Sequence, residues 1–346
     1  MPQAPTLTLA ERVQRLAPPR AKVRAVLDTD TFNEIDDQYA LVQALLSLDR
    51  MTIEAIYAAP FHNSHSDGPG HGMEQSYDEI LRLLERLAIS PDGLVHRGAT
   101  EFIGAAKQPI RSEAVDDLIA RARSATPEEP LYVIAIAAIT NVTSALMLAP
   151  DILDRVVVIW LGGHALWWPH TREFNLKQDI PAAQYLFDCG VPLVLIPCMG
   201  VTSHLHSSVP EIDAHVAPCG EIGAFLAERF RGYSSEHLGF SKEIWDMAAV
   251  AWLIDADWLP SDLIPAPILT SEGTWSFDAS RPLIRCVTTL KRDPILRDFF
   301  QKLRAYAETG QTAPSYRQVK NTIHQPAAGP KAGKGKAFGG KFSPKS

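Results

Sequence analysis

The run VLDTDTFNEIDD, residues 26–37, carries five acids, Asp28, Asp30, Glu34, Asp36 and Asp37, within ten residues. Upstream of it, Lys22 to Leu27 reads as a strand. Downstream, Ala40, Leu41, Ala44, Leu45 and Leu48 recur at helical spacing. A strand therefore runs through an acidic turn into a helix. In open α/β sheets, ligands bind outside the carboxyl ends of the strands, where this turn falls. Carboxylates crowded there repel one another unless a proton or cation neutralises them. An all-oxygen donor set favours a hard divalent ion, Ca²⁺ or Mg²⁺. The plainer alternative has Asp36 capping the helix and the other acids solvated. The density of acids at one strand end weighs against it.

Outward from this unit the alternation repeats. Ile53–Ala59 reads as a strand, followed by a loop with the breakers Pro60, Gly68, Pro69, Gly70 and Gly72. Glu74 to Leu87 is expected as an amphipathic helix, Leu94–Arg97 as a brief strand and Glu113 to Ala122 as a helix. Strand Leu131–Ala137, helix Asn141–Leu148 and strand Val156–Leu161 follow, then a long loop to Asp179. Helix Pro181–Cys189 and strand Pro192–Ile196 continue the pattern. A late helix is expected over Lys242–Ile254 and another over Asp293–Ala307. Such alternation predicts an α/β fold: a single large Rossmann-like domain with a mainly parallel central sheet flanked by helices.

Four segments, in order, resemble the nucleoside hydrolase family of the inosine-uridine preferring type. They are Asp28–Thr29–Asp30 with Asp36–Asp37; Ile136–Ala137–Ala138–Ile139–Thr140–Asn141; Leu161–Gly162–Gly163 with Glu173–Phe174–Asn175 and Asp179; and Trp245–Asp246–Met247–Ala248. The resemblance spans about Val23 to Ala307. It implies Ca²⁺ held by Asp30, Asp37, Asp246 and the backbone carbonyl of Ile136, a donor set that leaves room for water and sugar hydroxyls. It implies Asp36 as the base that deprotonates the attacking water, with Asp28 supporting the ligands rather than binding the ion. Glu173, Asn175 and Asn63 match ribose-binding positions. The implied reaction is hydrolysis of the N-glycosidic bond of a nucleoside, through an oxocarbenium-like transition state.

The chain departs from the family pattern in three places. The turn Thr31–Ile35 is longer and lacks the Pro-Gly. The loop before Glu173 holds Trp167–Trp168–Pro169 where an Asn is usual, which removes a residue from 5′-hydroxyl recognition. Trp245 stands where many relatives have a His. An indole is no proton donor at neutral pH, but it can stack on a purine, so Trp245 points to purine nucleosides, with Trp167 or Trp168 as a second stacking face. His62, His164 and His237 are the alternative acids. Two other readings stay open. One is a relative that binds a ribosyl ligand without turnover. The other is a haloacid-dehalogenase-type phosphatase with Asp28 as nucleophile and Asp30 as acid.

Composition bounds the rest. At roughly 150 residues per domain, 346 residues fit two domains or one large one; no linker divides the chain, so one is expected over 21–324, after a lead at 1–20. A tail over 325–346, rich in Gly, Ala, Pro and Lys and free of acids, is expected to be disordered. The net charge of −7 argues against nucleic acid as a partner. No apolar run reaches the roughly 18 residues of a membrane span. The four cysteines lie scattered, without a CxxC pair. A cytoplasmic enzyme acting on a small nucleoside is therefore expected, and the resemblance adds a homo-oligomer.

Overall fold

The structure, a computed structural model, describes residues 7–310; the expected tail lies outside the described residues. In chain order, the elements of the first half are α1 (Leu9–Arg15), β1 (Val23–Thr29), α2 (Asp36–Leu45), β2 (Met51–Ala58), α3 (Pro69–Arg86), β3 (Val95–Arg97), α4 (Glu113–Ser124), β4 (Leu131–Ala135), α5 (Thr140–Leu148) and β5 (Val156–Leu161). The second half adds α6 (Phe174–Gln178), α7 (Ile180–Asp188), β6 (Leu193–Ile196), β7 (His206–Ser208), α8 (Val209–His215) and α9 (Gly220–Gly232). It closes with β8 (Ser241–Glu243), α10 (Met247–Ile254), β9 (Ser261–Pro265), β10 (Ile268–Leu269), β11 (Trp275–Ser276), β12 (Leu283–Val287) and α11 (Arg292–Thr309).

Eight strands form one sheet in the order β3-β2-β1-β4-β5-β6-β12-β9. All neighbours run parallel except β9 against β12. Strands such as Val156–Leu161 are apolar throughout because helices cover both faces. Successive side chains go to opposite faces. Leu27, Ile56, Ile134 and Ile159 join one core, against α2, α3, α10 and α11. Val26, Tyr57, Val133 and Val158 join the other, against α4, α5 and α7. The expected α/β architecture is thus the observed one. The lead is tied in: Leu16 is fully buried, and Arg12 donates to the Gly190 carbonyl at 2.8 Å. No helix among the described residues is long and apolar enough to cross a membrane.

From β1 the chain crosses to β2 on one side, and β4 later adds on the other. The carboxyl ends of β1 and β4 are therefore the switch point at which such sheets open a ligand crevice. The amide of Ile136 donates to the Asp28 carbonyl at 2.9 Å, closing the two strand ends together.

Beyond shifts of one or two residues at element ends, three features differ from the sequence reading. Helix α3 begins at Pro69, not Glu74, because proline suits the first helical turn and Gly72 lets Phe61 come close; a Cβ there would lie 2.1 Å from the Phe61 carbonyl oxygen. The long loop before Asp179 contains α6, capped by Glu173. The late helix starts at Met247, not Lys242, because Ser241–Glu243 pairs with β7 instead.

Candidate active site

A cavity of about 500 Å³ opens at the switch point. Its floor is built by Asp30 at the end of β1, Asp36 and Asp37 in the first turn of α2, Ile136 after β4, and Asp246 just before α10. The amino end of a helix favours negative charge, so α2 places its two acids favourably. One carboxylate oxygen from each of Asp36, Asp37 and Asp246 can be chosen so that all three lie within 4.8 Å of one another.

All four floor acids are buried. Burial, reinforced by mutual repulsion, pushes the carboxyl groups of Asp30, Asp37 and Asp246 well above the usual range. Asp36 is raised to about 7, mainly by burial and then by the charge of Glu34, against the pull of Lys242. Asp36 and Asp246 share a hydrogen bond. Thr29 donates its hydroxyl to Asp37. Both carboxylate oxygens of Asp30 and Oδ1 of Asp36 are buried without a hydrogen-bond partner among the described residues. Unpaired buried anions are costly. Oxygen-only donors, mutual repulsion and unpartnered oxygens together fit a hard divalent cation.

Asp28 lies behind the floor and is not part of the cavity lining. Its Oδ1 accepts from Asn141 Nδ2 at 2.8 Å, and burial raises its carboxyl to about 7 against that bond. Buried outside the cavity lining, Asp28 offers no exposed oxygen for attack on a phosphate ester. Asp179 is also structural. Its carboxylate accepts from the amides of Ile103, Gly104 and Ala182 and from the Thr140 hydroxyl, which aligns the starts of α5 and α7.

The walls include Asn63, Glu173, Asn175 and Trp245, so the structure brings these expected residues to one cavity with the floor acids. Asn175 donates to the Leu161 carbonyl at 3.1 Å. The Glu173 carboxylate accepts from the amides of Asn175, Leu176 and Gly163. Gly163 sits at φ +71°, where a side chain would be strained and a Cβ would meet Thr171. Trp167 and Trp168 do not line the cavity. The Trp168 amide bonds back to the Ala165 carbonyl at 2.8 Å, and the Trp167 ring lies over Gly200, 71% exposed. Of the three histidines considered as acids, His164 alone lines the cavity; burial, then His170, lowers it to about 4, so it is neutral at pH 7.

Residues 25–312 match the family described as inosine-uridine preferring nucleoside hydrolase. The chain belongs to that family. Members of the inosine-uridine preferring nucleoside hydrolase family are ribosyl hydrolases, so a phosphatase is set aside. An uncharacterised protein of Schizosaccharomyces pombe is 30% identical over 46% of this chain and 55% of its own length. The non-specific ribonucleoside hydrolase RihC of Salmonella paratyphi A is 26% identical over 68% of this chain and 80% of its own. The chain thus spans about half of the first relative and most of the second. Among solved structures, a purine-preferring ribonucleoside hydrolase from Gardnerella vaginalis superposes with a TM-score of 0.65 at 22% identity, covering 82% of this chain and 99% of that one. An inosine-guanosine nucleoside hydrolase gives 0.63 at 18%, covering 83% and 99%. These two likenesses show the fold of a nucleoside hydrolase.

The cavity of this nucleoside hydrolase also has lining that sequence reasoning missed. Asn33, His65, Arg172 and Tyr233 belong to it. Buried Lys242 stands just behind it, paired with Glu34. Glu34 is legible in the acidic run; Tyr233 carries no local signal, because its partner lies 199 residues away in sequence.

Proposed function

We propose that the chain is a Ca²⁺-dependent hydrolase of purine ribonucleosides that releases the free base and ribose. The observation that carries this reading is the set of four buried, mutually repelling carboxylates on the floor of a cavity walled by Asn175 and Trp245. Asp30, Asp37, Asp246 and the Ile136 carbonyl would hold the ion. Calcium, when bound, supplies Lewis acidity and anchors the sugar hydroxyls. Asp36 takes a proton from the attacking water. The floor carboxylates offset the positive charge that develops on the sugar. Asn63, Glu173 and Asn175 orient the ribose. Trp245 stacks on the purine and favours its departure. The same reading puts the protein in the cytoplasm as a homo-oligomer.

One observation favours a second allocation of the floor. Asp36, not Asp30, shares the 4.8 Å cluster with Asp37 and Asp246, while Asp30 has two unpartnered oxygens. In that allocation Asp36 binds the ion and Asp30 takes the proton. Calorimetric Ca²⁺ titration of Asp30→Ala and Asp36→Ala, with turnover of a chromogenic riboside and a purine nucleoside panel, separates the two. The base variant keeps calcium affinity and loses about 10²- to 10⁴-fold in kcat. The ligand variant loses both. Wild-type protein that cleaves no riboside in saturating calcium overturns the hydrolase reading.

A further inference from the structure

The turn Thr31–Ile35, which sets this chain apart from its family, is firmly held. The Asn33 amide donates to the Asp30 carbonyl at 2.7 Å, and Asn63 Nδ2 donates to Asn33 Oδ1 at 2.7 Å. The Phe32 ring lies 5.9 Å from the Arg229 guanidinium. This anchoring brings Glu34 into the cavity lining. Glu34 Oε1 accepts from Lys242 Nζ at 3.1 Å and from the Tyr233 hydroxyl.

Lys242 is 4% exposed and also donates to the Glu243 carbonyl at 3.0 Å. Its ammonium lies 4.8 Å from the Tyr233 ring centre and 5.8 Å from that of Trp245. One buried cation therefore joins the carboxylate of the turn to the aromatic wall. It fixes Glu34 beside Trp245, on the side of the cavity assigned above to the base. Both donors to Glu34 among the described residues use Oε1, so Oε2 is the oxygen left to accept from a ligand. An ion-paired carboxylate offers lone pairs only. It attracts an N–H edge and repels a ring edge that presents only acceptors.

We propose that Glu34 is a specificity-determining residue that accepts a hydrogen bond from the exocyclic amino group of a purine stacked on Trp245. Amino-bearing nucleosides are then preferred over counterparts that lack the group. The proposal rests on the purine nucleosidase reading above. A hydrogen bond to a charged group contributes about 1.5–3 kcal/mol, which is roughly 10- to 100-fold in kcat/KM.

The test compares adenosine with purine riboside, which differ only in the 6-amino group, in wild-type protein and Glu34→Gln. Each nucleoside's intrinsic reactivity cancels when the ratio of kcat/KM values is compared between the two proteins. The adenosine-to-purine-riboside ratio is expected to fall at least about 10-fold in Glu34→Gln. Tyr233→Phe removes one anchor of the carboxylate and serves as a second variant should Glu34→Gln fail to fold; the same ratio is expected to fall several-fold. An unchanged ratio in the folded variants overturns the Glu34 assignment alone. Wild-type protein that cleaves other ribosides but neither purine nucleoside overturns this proposal and the purine preference. Wild-type protein that cleaves no riboside overturns the hydrolase reading with it.

Discussion

Two buried charge clusters in this molecule are built on opposite principles. On α11, Lys302 is fully buried, with its ammonium 2.8 Å from Asp298, 2.8 Å from the Ser47 hydroxyl and 3.8 Å from Asp49. Every charge there has an answering charge or dipole within the protein. At the switch point, Asp30, Asp36, Asp37 and Asp246 are buried together, with Lys242 beyond Glu34 as the nearby cation. The first cluster is complete as it stands. The second becomes balanced only when something from outside enters. Burial alone therefore does not mark a functional site; an unbalanced charge does.

Substitution tests the contrast from both ends. Asp37→Asn keeps the shape of the side chain and an acceptor for Thr29, but removes one charge from the floor. Riboside hydrolysis is expected to fall by more than about 100-fold, beyond the loss seen when a residue that only supports a metal ligand is removed. Chelator-treated Asp37→Asn is at the same time expected to melt higher than chelator-treated wild type, because a repulsion has gone. A lower melting temperature would mean that the floor acids are not in conflict.

Lys302→Met should behave in the opposite way. It leaves Asp298 buried without its cation, and removing one partner of a buried pair costs about 3–5 kcal/mol. The expected result is a large loss in urea-unfolding free energy, with kcat/KM per folded molecule kept. A stable Lys302→Met protein would erase the distinction between the clusters.

The fold is legible in the sequence because its signals are local. The apolar run of Val156–Leu161 and the spacing of Ala40, Leu41, Ala44 and Leu45 each fix an element without reference to the rest of the chain. The floor is legible for a related reason: its acids sit at element ends, where the α/β architecture puts ligands. What escapes is non-local. Lys242 reads as the first residue of a helix, yet pairing of Ser207 with Lys242 places it in a strand and aims it at Glu34. Asp179 closes the block that holds Glu173 and Asn175, but four donors from three segments make it a brace. Trp167 and Trp168 read as stacking faces, and the fold of their own loop takes both out of the cavity lining.

Glu173 falls between the two clusters, and its pH dependence shows on which side it belongs. It is buried, and backbone amides rather than a cation answer its charge, at 2.7 Å from Asn175, 3.0 Å from Leu176 and 3.0 Å from Gly163. Burial outweighs those bonds and raises its carboxyl from 4.5 to about 7. Between these values the folded protein keeps a proton that the unfolded chain has released. Folding therefore takes up a proton, and stability falls as pH rises through this window. The contribution is roughly 3 kcal/mol. In Glu173→Gln this contribution is absent, while the amide oxygen still caps α6. Urea unfolding from pH 4.5 to 7.5 in chelator should give wild type a steeper decline than the variant. The floor acids slope the same way in both proteins, apart from Asp30, which Glu173 also repels, so the difference between the curves reports chiefly on Glu173. Parallel curves would show that the three amides balance the charge, and would place Glu173 with Lys302 and Asp298 among the groups the fold has already satisfied.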